Sequence, residues 1–212
     1  MNKRIRKIAL LSLLGFILGT GVAWLQVQQE NNGGYEMAKI EPAAGPGTSG
    51  AEIGGSFSLT DHNGTPVTES NYRDSYKLIF FGFTYCPEIC PTELQKMTKV
   101  LNALGPDADP IQPLFITTDP ERDTPETMQA YVEMFHPRLV GLTGTPEQIK
   151  NVQHKYKVYA AKVESKELSD YTMDHSSFTF LMSPDDRLLA LFSSQDSAQD
   201  IEAEIRSVLQ SQ

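Results

Sequence analysis

From residue 53 onward, short apolar runs alternate with stretches whose apolar positions recur at helical spacing, and this alternation predicts the elements. Ser56 to Leu59 reads as a strand, Asp61-His62-Asn63-Gly64 as a tight turn, and Pro66 to Thr68 as the returning arm of a small hairpin. Leu78 to Phe83 is a short apolar run rich in aromatic and β-branched residues, and predicts a buried central strand over Lys77 to Phe83. From Thr92, Leu94, Met97, Val100, Leu101 and Leu104 mark a helix that Gly105-Pro106 ends. Ile111 to Thr117 predicts a second central strand. Thr124-Pro125-Glu126 then caps a helix striped by Met128, Tyr131, Val132 and Phe135. Leu139 to Leu142 reads as a short strand, Thr145-Pro146-Glu147 opens a helix to about Tyr156, and Val158 to Val163 reads as the next strand. A polar stretch leads to Asp174-His175. The strand Ser177 to Met182 follows, then a turn at Pro184-Asp185-Asp186, the strand Leu188 to Phe192, and a last helix from Ala198 to Leu209. Two βαβ-like units followed by a hairpin and a closing helix define an α/β fold with a mixed sheet.

The first 27 residues have a different pattern. Lys3, Arg4, Arg6 and Lys7 precede Ile8 to Val27, which carry no charge over 20 residues. At helical rise such a segment spans roughly 30 Å, the thickness of a bilayer core. The basic end predicts a cytoplasmic N-terminus with the remainder outside. The expectation is a membrane anchor over residues 1–27, in a single-pass protein of the bacterial inner (cytoplasmic) membrane with its domain on the periplasmic side. A cleaved signal peptide, with Gly21-Val22-Ala23 as the cleavage site, is the alternative. Residues 28–52, rich in Gly and Pro, read as a flexible linker with a mean reach of about 25–30 Å. Residues 53–212 then make one domain of ordinary size.

Charge narrows the partners. Of the 18 Lys and Arg residues, four precede the apolar segment, so the remainder sets 14 basic against 27 acidic residues. A soluble portion this acidic argues against nucleic acid and anionic lipid head groups as ligands.

The only two cysteines, Cys86 and Cys90, lie where the first central strand hands over to a helix N-terminus. Unpaired amides and the positive end of the helix dipole favour thiolate there, and the i, i+4 offset brings both sulfurs to one face of the first turn. Such a pair can close a disulfide or grip a soft metal. A bridge over so short a loop removes little chain entropy, so stapling is a weak reason for the spacing. A redox-type dithiol at the first main strand-to-helix junction is the thioredoxin arrangement, which makes the fold thioredoxin-like, a mixed β-sheet flanked by helices. In that arrangement the entry to the strand Ser177 to Met182 faces the dithiol loop. Thioredoxin-type oxidoreductases carry a cis-proline there; here His175 stands instead, with no proline between Pro146 and Pro184. His62, His136 and His154 fall at a turn, past a helix end and on a solvent face, and read as surface residues. Two thiolates facing one imidazole suit Cu(I), or Cu(II) with a further ligand, and Zn²⁺ also takes this set with a fourth donor. Phe83 and Tyr85 are expected to wall the site.

Three segments resemble the Sco/SenC family: FGFTYCPEICPTEL from Phe81, Thr117-Thr118-Asp119-Pro120-Glu121-Arg122-Asp123-Thr124-Pro125, and Asp170-Tyr171-Thr172-Met173-Asp174-His175-Ser176. The similarity covers about residues 52 to 210 in the expected order, with Thr117-Thr118 standing where a more apolar residue is common. What it implies is a membrane-tethered, thioredoxin-like copper chaperone that delivers copper to the CuA centre of cytochrome c oxidase. Cys86, Cys90 and His175 would be the metal ligands. Asp119 and Asp174 match acidic positions of the family and would be auxiliary, although helix capping and a turn also account for the 119–126 acids. The implied partners are the CuA-bearing oxidase subunit, other copper chaperones and the membrane through the N-terminal helix, with no nucleic acid. A thiol–disulfide oxidoreductase acting on the oxidase subunit's cysteines and a peroxidase of similar fold are the rival functions.

Overall fold

The structure, a computed structural model, describes residues 53–164 and 171–211. The expected anchor over 1–27 and linker over 28–52 lie outside the described residues. In chain order the elements are β1 (Ser58–Asp61), β2 (Pro66–Thr68), β3 (Tyr76–Gly82), α1 (Ile89–Leu104), β4 (Ile111–Thr117), α2 (Pro125–Val132), β5 (Val140–Thr143) and α3 (Pro146–Tyr156). Then come β6 (Ala160–Glu164), β7 (Tyr171–His175), β8 (Thr179–Met182), β9 (Leu188–Phe192) and α4 (Ala198–Gln210). Seven strands form one mixed sheet in the order β2-β1-β5-β4-β3-β8-β9, while β6 and β7 pair only with each other. Strands β3, β4 and β5 run parallel, joined by crossovers through α1 and α2; β8 returns antiparallel beside β3.

Side-chain alternation on the central strands splits the interior into two layers. Leu78 and Phe80 of β3 and Phe115 of β4 face α1, α2 and α4 with Leu94, Met97, Leu101, Tyr131 and Ile205. Ile79, Phe81, Leu114 and Ile116 face the opposite way, onto Ile149, Val152 and Tyr156 of α3. Coverage on both faces explains why β3 reads as an unbroken apolar run.

Helix starts follow their caps. Thr124 accepts the Thr127 N–H at the head of α2, and Thr145 with Gln148 and Ser197 with Asp200 form capping boxes for α3 and α4. Boundaries moved where a residue found another partner. The first strand begins at Ser58 rather than Ser56, and the Phe57 N–H goes to the Glu69 carboxylate at 2.9 Å. After α3, Lys157 takes the left-handed conformation and the Val158 N–H closes on the Gln153 carbonyl, so β6 starts at Ala160 rather than Val158. The polar stretch before His175 is in part a strand, β7, read from sequence as connecting chain.

Candidate metal centre

Cys86 and Cys90 sit just beyond the carboxyl end of β3, where open α/β sheets place their ligands. Helix α1 begins at Ile89, three residues earlier than its apolar period suggests, and Glu88 at its N-cap makes no side-chain cap bond. The orphan Cys90 N–H points instead at Cys86 Sγ, 3.4 Å away. Sulfur thus occupies the role of a capping oxygen, and Pro91 costs nothing in a first turn whose amides lack helical partners.

The two thiols are free and their environments differ. Cys90 is fully buried against Phe80 and Gly82, whereas Cys86 is half-buried. A Cβ on Gly82 would lie 2.7 Å from Cys90 Sγ and 3.0 Å from both Phe115 and Phe80, so the absent side chain is what lets the sulfur seat itself. The hydrogen bond with the Cys90 thiol, helped by His175 and the Cys90 and Glu88 backbone, pulls the Cys86 pKa down to about 4 against the opposing effect of burial. That same bond, burial and the neighbouring negative charge push Cys90 up. The pair shares one proton, with the thiolate on the outer sulfur.

His175 reaches this pair through sheet topology. Antiparallel β8 sets Thr179 opposite Phe80, so the chain entering β8 passes the end of β3. His175 Nε2 lies 3.4 Å from Cys90 Sγ. Its Nδ1 is 3.0 Å from the Ser176 carbonyl, an acceptor only, so Nδ1 carries a proton and Nε2 is the ring nitrogen that faces sulfur. Phe83 and Phe80 present edges to the imidazole at 5.8 and 6.2 Å between ring centres, and Phe83 walls the site as expected. Tyr85 stands exposed at the rim, stacked on Arg122.

The two acids expected as auxiliaries are placed elsewhere. Strand alternation sends Tyr171, Met173 and His175 to one side of β7 and the exposed Asp174 to the other. Asp119 is buried with both oxygens engaged, Oδ2 by Arg122 Nε at 2.5 Å and Oδ1 by the Tyr171 hydroxyl at 2.9 Å. Asp123, read as part of a helix cap, braces the cysteine loop: it accepts from Thr84 N and Oγ1 and from Thr117 Oγ1. Burial raises its pKa, partly offset by these donors. Thr117 and Thr118, atypical for the resemblance, both serve here. The Thr117 hydroxyl also accepts the Asp119 N–H, and Thr118 bonds the Gly82 carbonyl. Neither Asp123 nor Arg122 announced such contacts in sequence, since both span elements far apart in the chain. Among the described residues, no group of three or more His, Cys, Asp or Glu has the spacing to hold a metal ion; the contacts among Cys86, Cys90 and His175 are pairwise.

Of the other histidines, exposed His154 matches expectation, while His62 Nδ1 accepts the Gly141 N–H at 3.1 Å and helps join the β1 turn to β5.

A thioredoxin-like domain with a thiol pair at its strand-to-helix junction and an imidazole against the inner sulfur is the class that fold and site define. Residues 45–210 match the SCO1/SenC family model, and the chain belongs to that family. It is 42% identical over 191 residues to the bovine (Bos taurus) protein SCO2 homolog, mitochondrial, covering 89% of this chain and 70% of the relative. Among solved structures it is similar to Bradyrhizobium japonicum ScoI with copper bound, at 45% identity and TM-score 0.67, covering 73% of this chain and 98% of that one. Yeast Sco1 with copper bound matches at 38% identity and TM-score 0.70, over 76% and 90%.

The comparison corrects one expectation. A bacterial inner-membrane protein with a periplasmic domain does not stand, because relatives matched over most of the chain are mitochondrial. Among the described residues no helix is long and apolar enough to cross a membrane. The physical reason for the misreading is that basic residues before an apolar run give an orientation relative to a bilayer and say nothing of which bilayer it is.

Proposed function

We propose that the domain carries copper as cargo, taking it up on reduced Cys86 and Cys90 with His175 and delivering it to the CuA centre of cytochrome c oxidase during assembly. The observation that carries this reading is the approach of His175 Nε2 to within 3.4 Å of Cys90 Sγ, with Cys86 Sγ beside it on the Cys90 N–H. Two bonds of roughly 2.0–2.3 Å meeting at a tetrahedral to trigonal angle set their donor atoms about 3.5–3.8 Å apart, so the pair needs little movement to share an ion. Two sulfurs and one nitrogen are a soft set that suits Cu(I), and a further oxygen donor would adapt it to Cu(II). Copper-bound relatives of the same fold at 45% and 38% identity support the choice of metal. On this reading another copper chaperone supplies the ion and the CuA-bearing oxidase subunit accepts it. The membrane tether in this reading rests on the uncharged run Ile8 to Val27 alone.

In the carrier, Cys86 is already ionised and offers its lone pair without prior proton loss, and Cys90 surrenders its proton as the ion arrives. His175 is held by Ser176 in the tautomer that presents Nε2. Phe80, Phe83 and Tyr131 keep the inner side dry. Anaerobic titration of the reduced domain should give one copper per chain, followed by transfer to an apo CuA domain. Failure to bind copper when both thiols are reduced would refute the proposal.

The low Cys86 pKa also supports a second reading, reduction of a disulfide on the oxidase subunit. The Cys86 thiolate would attack that disulfide and release one thiolate. Cys90 would then give up its proton and displace the second, leaving Cys86–Cys90 oxidised and the partner's two cysteines reduced. Exchange that proceeds undiminished in His175→Ala would favour this reading.

A further inference from the structure

The segment 117–123 touches both arms of the metal centre. Through Asp123 it holds Thr84, two residues before Cys86. Through Asp119 and Arg122 it holds Tyr171, at the start of the strand that ends in His175. The Arg122 guanidinium lies between two aromatic rings, 3.8 Å from the centre of Tyr171 and 4.8 Å from that of Tyr85. Its Nε is paired with Asp119 and its Nη1 donates to the Tyr171 carbonyl at 3.0 Å. One ring belongs to the cysteine loop and the other to the histidine strand. Lys162 of β6 adds a weaker hold, 4.6 Å from the Tyr171 ring and paired with Glu121.

That arrangement matters because, among the described residues, β6 and β7 have no strand partner in the main sheet. The β8–β3 register carries the chain that leaves His175 past the end of β3, but Tyr171, at the other end of β7, lies outside that ladder. An isolated two-stranded hairpin is marginal in water, so its position depends on side-chain contacts. Those at its Tyr171 end are aromatic–guanidinium stacking and charge-assisted hydrogen bonds, which are strong and geometrically demanding for Arg.

We propose that Arg122, seated by Asp119 and stacked between Tyr85 and Tyr171, is a positioning residue that clamps the histidine strand to the cysteine loop and so presents His175 to the ion. The inference rests on Cys86, Cys90 and His175 forming one site. Arg122 touches no ligand atom; it acts by setting how often the imidazole is in place. It also gives Asp119 a role other than metal ligation.

Two readouts test the clamp. The first is hydrogen exchange of the copper-free domain: Arg122→Met should speed exchange at Tyr171–His175 about tenfold or more, with β3 and β4 unchanged. The second is copper affinity, which should fall about 10–100-fold in Arg122→Met, the range for residues that orient a ligand. In a His175→Ala background the same change should add nothing. Arg122→Lys, which keeps the charge but loses the planar fork, should fall between wild type and Arg122→Met. If Arg122→Met unfolds the core by stranding the Asp119 carboxylate, Tyr171→Leu tests the clamp from the hairpin side with the same two readouts. Unchanged exchange at Tyr171–His175, or a copper loss that adds in full to that of His175→Ala, overturns the proposal. If the wild-type domain binds no copper, the carrier reading fails, and the exchange measurement still decides the clamp.

Discussion

The two arms of the centre are built in different ways. The cysteine arm grows out of the core: Cys90 is fully buried, Gly82 makes room for its sulfur, and Asp123 ties Thr84 down from below. The histidine arm is a two-stranded ribbon outside the main sheet, with three of the five β6 residues exposed; Arg122, Asp119 and Lys162 hold its Tyr171 end, and Phe80 and Phe83 pack against His175. A carrier must bind an ion and then release it. On the proposed carrier reading, a fixed jaw that presents sulfur and a second jaw that adds nitrogen would provide both, and the affinity would follow the fraction of time the second jaw is closed.

The comparison can be broken most severely at the fixed jaw. Cys90→Ser should abolish tight copper uptake, a loss beyond the roughly hundredfold ceiling of residues that only orient ligands; equilibrium competition with a copper chelator measures it. Gly82→Ala attacks the same jaw without replacing a ligand. Its Cβ would crowd Cys90 Sγ and two phenylalanine rings, costing about 1–3 kcal/mol in unfolding free energy and displacing the sulfur. Denaturant unfolding reads the first effect and copper affinity the second.

Acidity separates the two sulfurs. Cys86, with its pKa near 4, should react with iodoacetamide at an almost constant rate from about pH 5 to 8 and slow only below that, while Cys90 stays inert in the folded state. The stability of the reduced domain should rise with pH between about 4 and the roughly 8.5 of an ordinary thiol. In that window the unfolded chain keeps a proton that folded Cys86 has released, and the contribution is lost as pH falls through about 4. Asp123 works the other way: its raised pKa means that ionising it costs stability as pH climbs above the ordinary carboxylate range. Mass spectrometry of the alkylated chain follows each sulfur separately. The smallest effect is expected at the second jaw's rim. The Lys162–Glu121 pair is about half exposed on both sides, so Lys162→Ala should change stability by less than about 1 kcal/mol in thermal unfolding.

Much of this architecture is written in the pattern of apolar residues. β4 falls on Ile111–Thr117, the bounds its apolar residues predict, and α3 starts at the proline after Thr145 because cap and first-turn chemistry agree. The meeting of His175 with the cysteines was legible because antiparallel β8 brings its entry to the end of β3. β7 was not, although its inward Tyr171, Met173 and His175 alternate with outward Thr172 and Asp174, because a half-exposed surface ribbon lacks the apolar density that marks a core strand. The clamp was still less visible. Arg122 and Tyr171 are 49 residues apart, and an arginine in an acidic turn carries no sign of which ring it will stack upon. Asp119 read as a candidate auxiliary for the same reason: sequence shows a carboxylate near the site and conceals that its two oxygens are engaged.

The central claim is that both jaws close on one ion, and X-ray absorption at the copper edge of the reduced, copper-loaded domain tests it most directly. Two sulfurs and one imidazole nitrogen in the wild type, with the nitrogen alone missing in His175→Ala, is the expected result. A wild-type spectrum with sulfur donors only, unchanged by His175→Ala, would contradict it.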